Sequence, residues 1–150
     1  MRKLLIALFS GAMLTATASA EDVKIGIILG FTGPIESLTP DMAAGAELAI
    51  AEVNGGGKFM GGSKVTGIRG DSTCVDSAAA QATAERLVTS DKVNAIMGAD
   101  CSGVTGAILA NVAMANGVVM ISPSATSPGL ATAEDNGLFF RTAPSDARQG

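Results

Sequence analysis

The sequence predicts an α/β fold, with a Rossmann-like and mostly parallel sheet and helices on both of its faces. Short apolar runs alternate with amphipathic helical segments along the 150 residues, and the connections between them are short. That alternation is typical of βαβ units. Two predicted strands also end in small and hydroxylated residues, within residues 98–105 and 121–128. Open α/β sheets bind ligands beyond the carboxyl ends of their strands, so these two turns predict a binding site.

Four strands are predicted from apolar runs, and the second from an imperfect alternation of apolar and polar residues. The first is apolar nearly throughout, as expected for a parallel strand that is covered on both faces. The five predicted strands span residues 23–30, 64–71, 93–98, 118–121 and 138–141. The glycines after the first strand do not form G-x-G-x-x-G, and the chain contains no Walker A sequence. The dinucleotide fingerprint is therefore absent where a Rossmann enzyme would carry it.

Three helices are predicted from capping residues and apolar stripes. Thr39 is expected to cap the first helix, which ends near Asn54 and is closed by Gly55. Asp76 is expected to cap the second, through about residue 90, and the third spans residues 102–116. Their buried stripes are predicted to be Met42, Ala46, Ala49, Ile50 and Val53; Ala80, Ala84, Leu87 and Val88; and Val104, Ile108, Val112 and Ala115. The Ala and Gly content of the helices predicts close helix-to-sheet approach.

The first twenty residues are predicted to be a signal peptide, outside the folded domain. Arg2 and Lys3 precede a short apolar core, and residues 18–20 form a small-x-small cleavage site before Glu21. A transmembrane anchor is the alternative, but polar residues interrupt a run already shorter than the roughly 20 apolar residues needed to span a bilayer. We therefore expect cleavage after Ala20 and a soluble exported protein, most simply in a bacterial periplasm.

The composition excludes a nucleic-acid partner. Without Arg2 and Lys3 the chain has eight basic and fourteen acidic residues, a formal charge of −6. Nucleic-acid binding would require a basic footprint. The chain also has only five Phe and neither Tyr nor Trp, so it lacks aromatic platforms for base stacking.

Two cysteines, Cys74 and Cys101, remain in the mature chain. In an oxidising compartment they are expected to pair, and two free buried thiols are the alternative. Both cysteines follow predicted strands. If these strands are parallel neighbours in the sheet, their ends bring the two cysteines within reach of one another.

The predicted site admits simpler interpretations. Ser102 and Ser127 are each equally well explained as helix caps. Asp71, Asp76 and Asp100 suggest an acidic cluster, as in an exported Rossmann-like enzyme, yet caps and turns explain each of them. The chain contains no histidine, which removes the usual general base and the Ser-His arrangements. Ser102 also lacks the G-x-S-x-G elbow. We therefore expect a binding protein rather than an enzyme, with no cofactor and no metal.

Several segments together carry a family resemblance. They are the signal peptide, the strand leading to Gly33-Pro34, the helix at 42–54, and the segments 71–74, 98–105, 121–128 and 140–146. With these, the chain resembles the leucine/isoleucine/valine-binding protein family, periplasmic proteins that serve ABC importers. The resemblance implies a type I periplasmic binding protein, of which residues 21–150 form the N-terminal lobe of the ligand-binding domain. Those proteins have two lobes around a cleft, and a helix starting near Ser145 is left unfinished, so we expect a truncated first lobe.

The resemblance also implies site residues. Ser102, with Gly103 beside it, would bind a ligand carboxylate at a helix N-terminus. Ser124 would offer its backbone carbonyl to the ligand ammonium, Thr126 would add its hydroxyl and N–H, and Ala125 would line the pocket between them.

Two further positions follow from the resemblance. Cys74 and Cys101 match the family's disulfide pair. Amino-acid binders of the family carry an aromatic residue after Gly-Pro, whereas this chain has Ile35 to Leu38 there, and Leu38 is the nearest replacement.

The function expected from the resemblance is that of the solute-binding component of an ABC importer. Its ligand would be a branched-chain amino acid or a related small carboxylate or amide, and its partner would be the membrane permease. A ligand-sensing receptor module of the same fold is the alternative, and gene neighbours would distinguish the two.

Overall fold

A computed structural model describes residues 21–148, so the predicted signal peptide lies outside the described residues. Within them, the sheet consists of β1 (Val23–Leu29), β2 (Val65–Asp71), β3 (Ala95–Gly98), β4 (Val119–Ser122) and β5 (Phe139–Arg141). Every neighbouring pair is parallel, in the order β2-β1-β3-β4-β5. The predicted parallel sheet is confirmed, with strand bounds that differ by one or two residues.

Three helical segments connect the strands. They are α1 (Thr39–Gly56), α2 (Ser77–Thr89) and α3 (Ser102–Ile108), and α3 continues through a π-helical stretch (Leu109–Ala113) into a last α turn (Met114–Asn116). Short 3₁₀ turns lie at Phe59–Gly61, Pro128–Ala131 and Asp146–Arg148. None of the helices between residues 21 and 148 is both long and apolar enough to cross a membrane.

The helices cover both faces of the sheet, as predicted. On one face, α2 and α3 pack against Ile28, Ile96 and Met120 in the larger core. On the other, α1 packs against Ile27 and Leu29. This second face is only partly covered: Ile121 and Phe140 are paired in register on β4 and β5, and they are 45% and 55% exposed.

Alanines in the helices and glycines in the strands allow the close helix-to-sheet approach. Ala43, Ala80 and Ala84 have no exposed surface. A Cβ on Gly70 of β2 would lie 2.6 Å from the Thr83 side chain of α2, whereas a Cβ on Gly45 of α1 would meet nothing within 4 Å. The prediction is therefore correct for the helical alanines and wrong for the glycine in α1.

The predicted cap of α1 is wrong. Thr39 is the first helical residue, Leu38 occupies the cap position, and no side chain caps the helix. The Thr39 hydroxyl is buried and donates to the carbonyls of Gly30 (3.2 Å) and Glu36 (3.3 Å), so it joins the helix to the loop after β1. At the other end, Gly57 rather than Gly55 provides the left-handed closing residue.

The predicted stripe of α3 is correct as far as Val112 and fails after it. Val104, Ile108 and Val112 are buried, but the next buried residue is Ala113, and Ala115 is exposed. The π-helical stretch explains this shift, because an i→i+5 turn contains one residue more than an α turn and rotates the following residues around the axis. By contrast, the predicted stripe of α2 is buried in full.

Candidate functional site

The loops after the strands all lie at the carboxyl edge of the sheet, because the strands are parallel. Residues 99–103 leave β3 and enter α3, and residues 123–127 leave β4. These two segments are the two turns that the sequence singles out, and β3 and β4 are neighbours. The structure therefore brings the two predicted turns together.

The start of α3 presents unpaired hydrogen-bond donors. Cys101 occupies the cap position, and the first helical bond runs from the Thr105 N–H to its carbonyl (3.0 Å). The N–H groups of Ser102 and Gly103 precede that bond and have no partner within residues 21–148. A Cβ on Gly103 would meet nothing within 4 Å, so the backbone here is open to an approaching group.

Ser102 links this turn to the next and does not cap the helix. Its hydroxyl oxygen accepts a hydrogen bond from the Ser127 N–H (3.1 Å), which leaves the hydroxyl proton available for another acceptor. Ser127 does act as a cap, because its own hydroxyl accepts from the Gly129 N–H (3.3 Å) at the following 3₁₀ turn. The capping interpretation therefore holds for Ser127 and is wrong for Ser102.

Two further serines join the turns. The Ser122 hydroxyl donates to the Ala99 carbonyl and accepts from the Ala125 N–H (3.0 Å). The Ser124 hydroxyl donates to the Asp100 carbonyl (3.0 Å). The Ser124 side chain is therefore engaged within the protein, whereas its backbone carbonyl has no hydrogen-bond partner among the described residues.

Arg141, at the end of β5, holds the second turn from the other side. Its guanidinium donates to the carbonyls of Ala125 (3.2 Å) and Ser127 (2.9 Å). The carbonyl of Thr126, between them, accepts from the Asp146 N–H (3.0 Å). Ala125 has no exposed surface, so its side chain belongs to the core and supports the turn from below.

These contacts leave a small set of groups free. Among the described residues, the Ser124 carbonyl and the N–H and hydroxyl of Thr126 have no hydrogen-bond partner. Together with the donors of Ser102 and Gly103, they provide donors for a carboxylate and an acceptor for an ammonium group. No closed pocket forms within residues 21–148, so these groups lie on an open surface.

A disulfide between Cys74 and Cys101 joins the loop after β2 to the start of α3, with 5.2 Å between the Cα atoms. The pairing is the one expected from the resemblance, but the strands involved are not neighbours, because β1 lies between β2 and β3. The loops therefore meet across the end of β1, at Gly30. A Cβ on Gly30 would lie 3.2 Å from the Cys74 Cβ, so the crossing leaves little room for a side chain there.

The three acidic residues do not form a cluster. Asp76 caps α2 as predicted, accepting from the N–H groups of Ala78 (2.9 Å) and Ala79 (3.0 Å). Asp71 and Asp100 accept hydrogen bonds from different donors, Asp71 from Thr32 and Thr73 and Asp100 from Gly30, Ser72 and Cys101. Within the described part of the chain, no group of three or more His, Cys, Asp or Glu residues is placed to hold a metal ion.

Asp71, the last residue of β2, anchors the loop after β1. Its carboxylate accepts from the hydroxyl (2.5 Å) and N–H (3.2 Å) of Thr32 and from the N–H of Thr73 (2.9 Å). Burial by itself raises the pKa of Asp71, but the hydrogen bonds from Thr32 and Thr73 outweigh it and hold the pKa below its usual range.

Leu38 lies at the cap position of α1 and is 62% exposed. It follows the same loop that Asp71 anchors, at the same edge of the sheet as Ser102. Within residues 21–148, no hydrogen bond or core contact joins Leu38 to the two turns.

The roles of two residues that hold the two turns are not predicted from the sequence. Arg141 lies in one of the segments that carry the resemblance, but nothing in that pattern indicated its carbonyl partners. Asp100 was interpreted as a turn residue. It lies two residues after β3 and directly before Cys101, the cap residue of α3, but nothing in that local pattern indicates donors from Gly30 and Ser72.

Parallel α/β domains bind ligands at the carboxyl edge of the sheet, which is the edge where these groups lie. The sequence model of the family described as periplasmic binding protein matches residues 22–150, and the chain belongs to that family.

Individual relatives agree with this assignment. The chain is 33% identical over 137 residues to the Leu/Ile/Val/Thr-binding protein of Salmonella typhimurium, covering 91% of this chain and 36% of that protein. It is 38% identical over 104 residues to Leu/Ile/Val-binding protein homolog 7 of Brucella melitensis, covering 69% of this chain and 25% of that one.

A solved structure is similar as well. The branched-chain amino acid transporter substrate-binding protein LivJ of Streptococcus pneumoniae, in complex with isoleucine, superposes with a TM-score of 0.75 at 33% identity. The match covers 84% of this chain and 35% of that chain. The chain thus spans about a third of the length of LivJ and of the Salmonella protein.

The Asp71 contacts predict an acid-sensitive contribution to stability. Because the folded-state pKa is lowered, ionised Asp71 stabilises the fold above its unfolded-state pKa of about 3.9, and this contribution is lost as the pH falls through the folded-state pKa. Asp71→Asn is expected to lower the free energy of unfolding by about 1 kcal/mol at pH 7, a value reduced for the partial solvent exposure of these bonds.

Urea unfolding of the unaltered protein and of Asp71→Asn at pH 7 and below pH 4 measures this effect. The difference between their free energies of unfolding should be smaller in acid than at pH 7. An equal difference at both pH values would contradict the stabilising role of ionised Asp71, and Asp41→Asn, on the exposed first turn of α1, provides the control.

Proposed function

We propose that this chain is the N-terminal lobe of a solute-binding component of an ABC importer, and that it binds a branched-chain amino acid or a related small carboxylate or amide. The observation that supports the proposal is that hydrogen bonds join the two turns, from the Ser127 N–H to the Ser102 hydroxyl and from the Ser124 hydroxyl to the Asp100 carbonyl. The unpaired donors of Ser102 and Gly103 and the free groups of Ser124 and Thr126 belong to these joined turns. The names of the similar proteins support the ligand class.

The proposed binding mode follows from the charges of an amino acid. Its carboxylate would accept from the N–H groups of Ser102 and Gly103 and from the Ser102 hydroxyl, and the partial positive charge of a helix N-terminus favours an anion there. Its ammonium would donate to the Ser124 carbonyl. Thr126 would add its hydroxyl and N–H, and the buried Ala125 below would keep the turn from collapsing.

The ligand side chain would point along the edge toward the loop after β1. Leu38 is exposed there and offers an aliphatic contact where amino-acid binders of the family carry an aromatic residue. An aliphatic wall suits a branched side chain, and removal of its apolar surface from water favours binding by about 25 cal/mol per Å². Leu38 therefore enters the proposal as the specificity contact.

We further propose that the protein binds without catalysing a reaction and delivers its ligand to a membrane permease. The similar proteins are binding proteins. The chain has no histidine, and its serines at the edge are engaged with backbone groups rather than with a general base.

The proposed site of action is the periplasm, after cleavage following Ala20. N-terminal sequencing of the protein exported by a bacterial host is expected to give Glu21 as the first residue. Retention of Met1 on the exported protein would contradict cleavage at this position.

Substitution of the two hydroxyl residues tests the binding mode. Ser102→Ala and Thr126→Ala each remove one charge-assisted or neutral hydrogen bond, so each is expected to raise the dissociation constant for L-leucine about tenfold. Thr89→Ala is the matched control, because the Thr89 hydroxyl bonds only within α2, to the Glu85 carbonyl.

The measurement is an NMR titration of the ¹⁵N-labelled chain with the Cys74–Cys101 bond intact. The unaltered chain should bind L-leucine weakly, in the millimolar range, since an open edge leaves much of the ligand in water. Equal affinities for all four proteins, or submicromolar binding by this chain, would contradict the proposal.

A further inference from the structure

Asp100 is a buried carboxyl group that the proposed binding mode does not use. Only 3% of the residue is exposed. Between residues 21 and 148, salt bridges join Arg69 to Glu47 and Arg86 to Asp91, and neither involves Asp100. A buried carboxylate without a cation is costly unless hydrogen bonds satisfy its oxygens, so its donors are informative.

Three donors from three different loops satisfy this carboxylate. The Gly30 N–H, after β1, donates to Oδ2 (2.7 Å). The Cys101 N–H, after β3, donates to Oδ1 (2.9 Å), and the buried Ser72 hydroxyl, after β2, donates to the same oxygen (3.3 Å). One side chain therefore ties together the ends of three adjacent strands.

The main chain of Asp100 contacts the other half of the site. Its carbonyl accepts from the Ser124 hydroxyl (3.0 Å). Cys101, which its side chain holds, is the cap residue that immediately precedes Ser102. Asp100 is thus hydrogen-bonded to Cys101, which precedes the proposed carboxylate donors, and to Ser124, which carries the proposed ammonium acceptor.

We infer that Asp100 is the positioning residue of the ligand-binding edge. It fixes the start of α3 relative to Ser124, so that one amino acid contacts the proposed carboxylate donors and the proposed ammonium acceptor at the same time. This inference rests on the proposed function. Asp100 itself does not touch the ligand, because its oxygens are occupied and buried.

The chemistry requires a carboxylate rather than its amide. Gly30 and Cys101 donate to different oxygens of Asp100, so both oxygens must be acceptors. In Asp100→Asn one oxygen becomes an NH₂ group, which would face an N–H donor. The side-chain volume is retained, so this variant tests the hydrogen bonds with little change in packing.

The experiment compares Asp100→Asn with Asp76→Ala in the ¹⁵N-labelled chain. Asp76→Ala removes the cap of α2 and lowers stability without touching the two turns. In Asp100→Asn, the amide protons of Gly30 and Cys101 are expected to exchange with solvent at least tenfold faster than in Asp76→Ala. The dissociation constant for L-leucine should rise about tenfold, whereas in Asp76→Ala it should stay that of the unaltered chain.

Each alternative result overturns either one part of the inference about Asp100 or the proposed function. Exchange rates at Gly30 and Cys101 equal to those of Asp76→Ala would show that the carboxylate does not hold these loops. Faster exchange with an unchanged dissociation constant would overturn the positioning role. If the unaltered chain does not respond to L-leucine, the proposed function fails, and the exchange comparison alone still decides whether Asp100 fixes the loops.

A second variant applies if Asp100→Asn does not fold. Ser72→Ala removes one of the three donors and leaves the carboxylate in place. It is expected to accelerate exchange at Gly30 and Cys101 about threefold. No acceleration would again overturn the inference.

Discussion

The candidate site depends on the crossing of two loops over the end of β1. Because β1 lies between β2 and β3, the loops that follow those two strands meet only above Gly30. The Cys74–Cys101 disulfide holds that crossing covalently. In the chain-entropy account, a bond closing a loop of this size stabilises the fold by about 3–4 kcal/mol. The carboxylate of Asp100 holds the same crossing from within, through Gly30, Ser72 and Cys101.

The second turn is fixed by a separate set of bonds. Ser122 and Ser124 connect it to the backbone of residues 99 and 100, and Arg141 holds two of its carbonyls from the neighbouring strand. The polar groups of the two turns are thus largely engaged in hydrogen bonds within the protein. The groups that remain free are those that an amino acid would need, and a rigid arrangement reduces the ordering cost of binding.

Much of this fold follows from local patterns in the sequence. Apolar runs predict four of the strands and an imperfect alternation predicts β2. The stripe of α2 and its Asp76 cap are correct in detail, because periodicity and capping are local properties. The strand order is not local. The expectation that Cys74 and Cys101 follow neighbouring strands was therefore wrong, although their pairing was right.

Other differences have tertiary causes. Thr39 has the sequence context of a helix cap, but its hydroxyl donates a hydrogen bond to the Gly30 carbonyl. Ala115 has helical spacing, but the π-helical stretch before it turns it outward. In the site, the hydroxyl-rich turns were recognisable as a pair, whereas the roles of Asp100 and Arg141 depend on backbone groups 14 to 70 residues away and have no local signature.

The most direct test of this account is to map where an amino acid contacts the chain. In a titration of the ¹⁵N-labelled protein with L-leucine, the largest shift changes are predicted at the amides of Ser102, Gly103 and Thr126. Titration with isoamylamine, which has the same side chain but no carboxylate, should leave Ser102 and Gly103 unchanged. Shifts confined to other surfaces, or the same response of Ser102 and Gly103 to both compounds, would contradict the claim that the start of α3 is the carboxylate site.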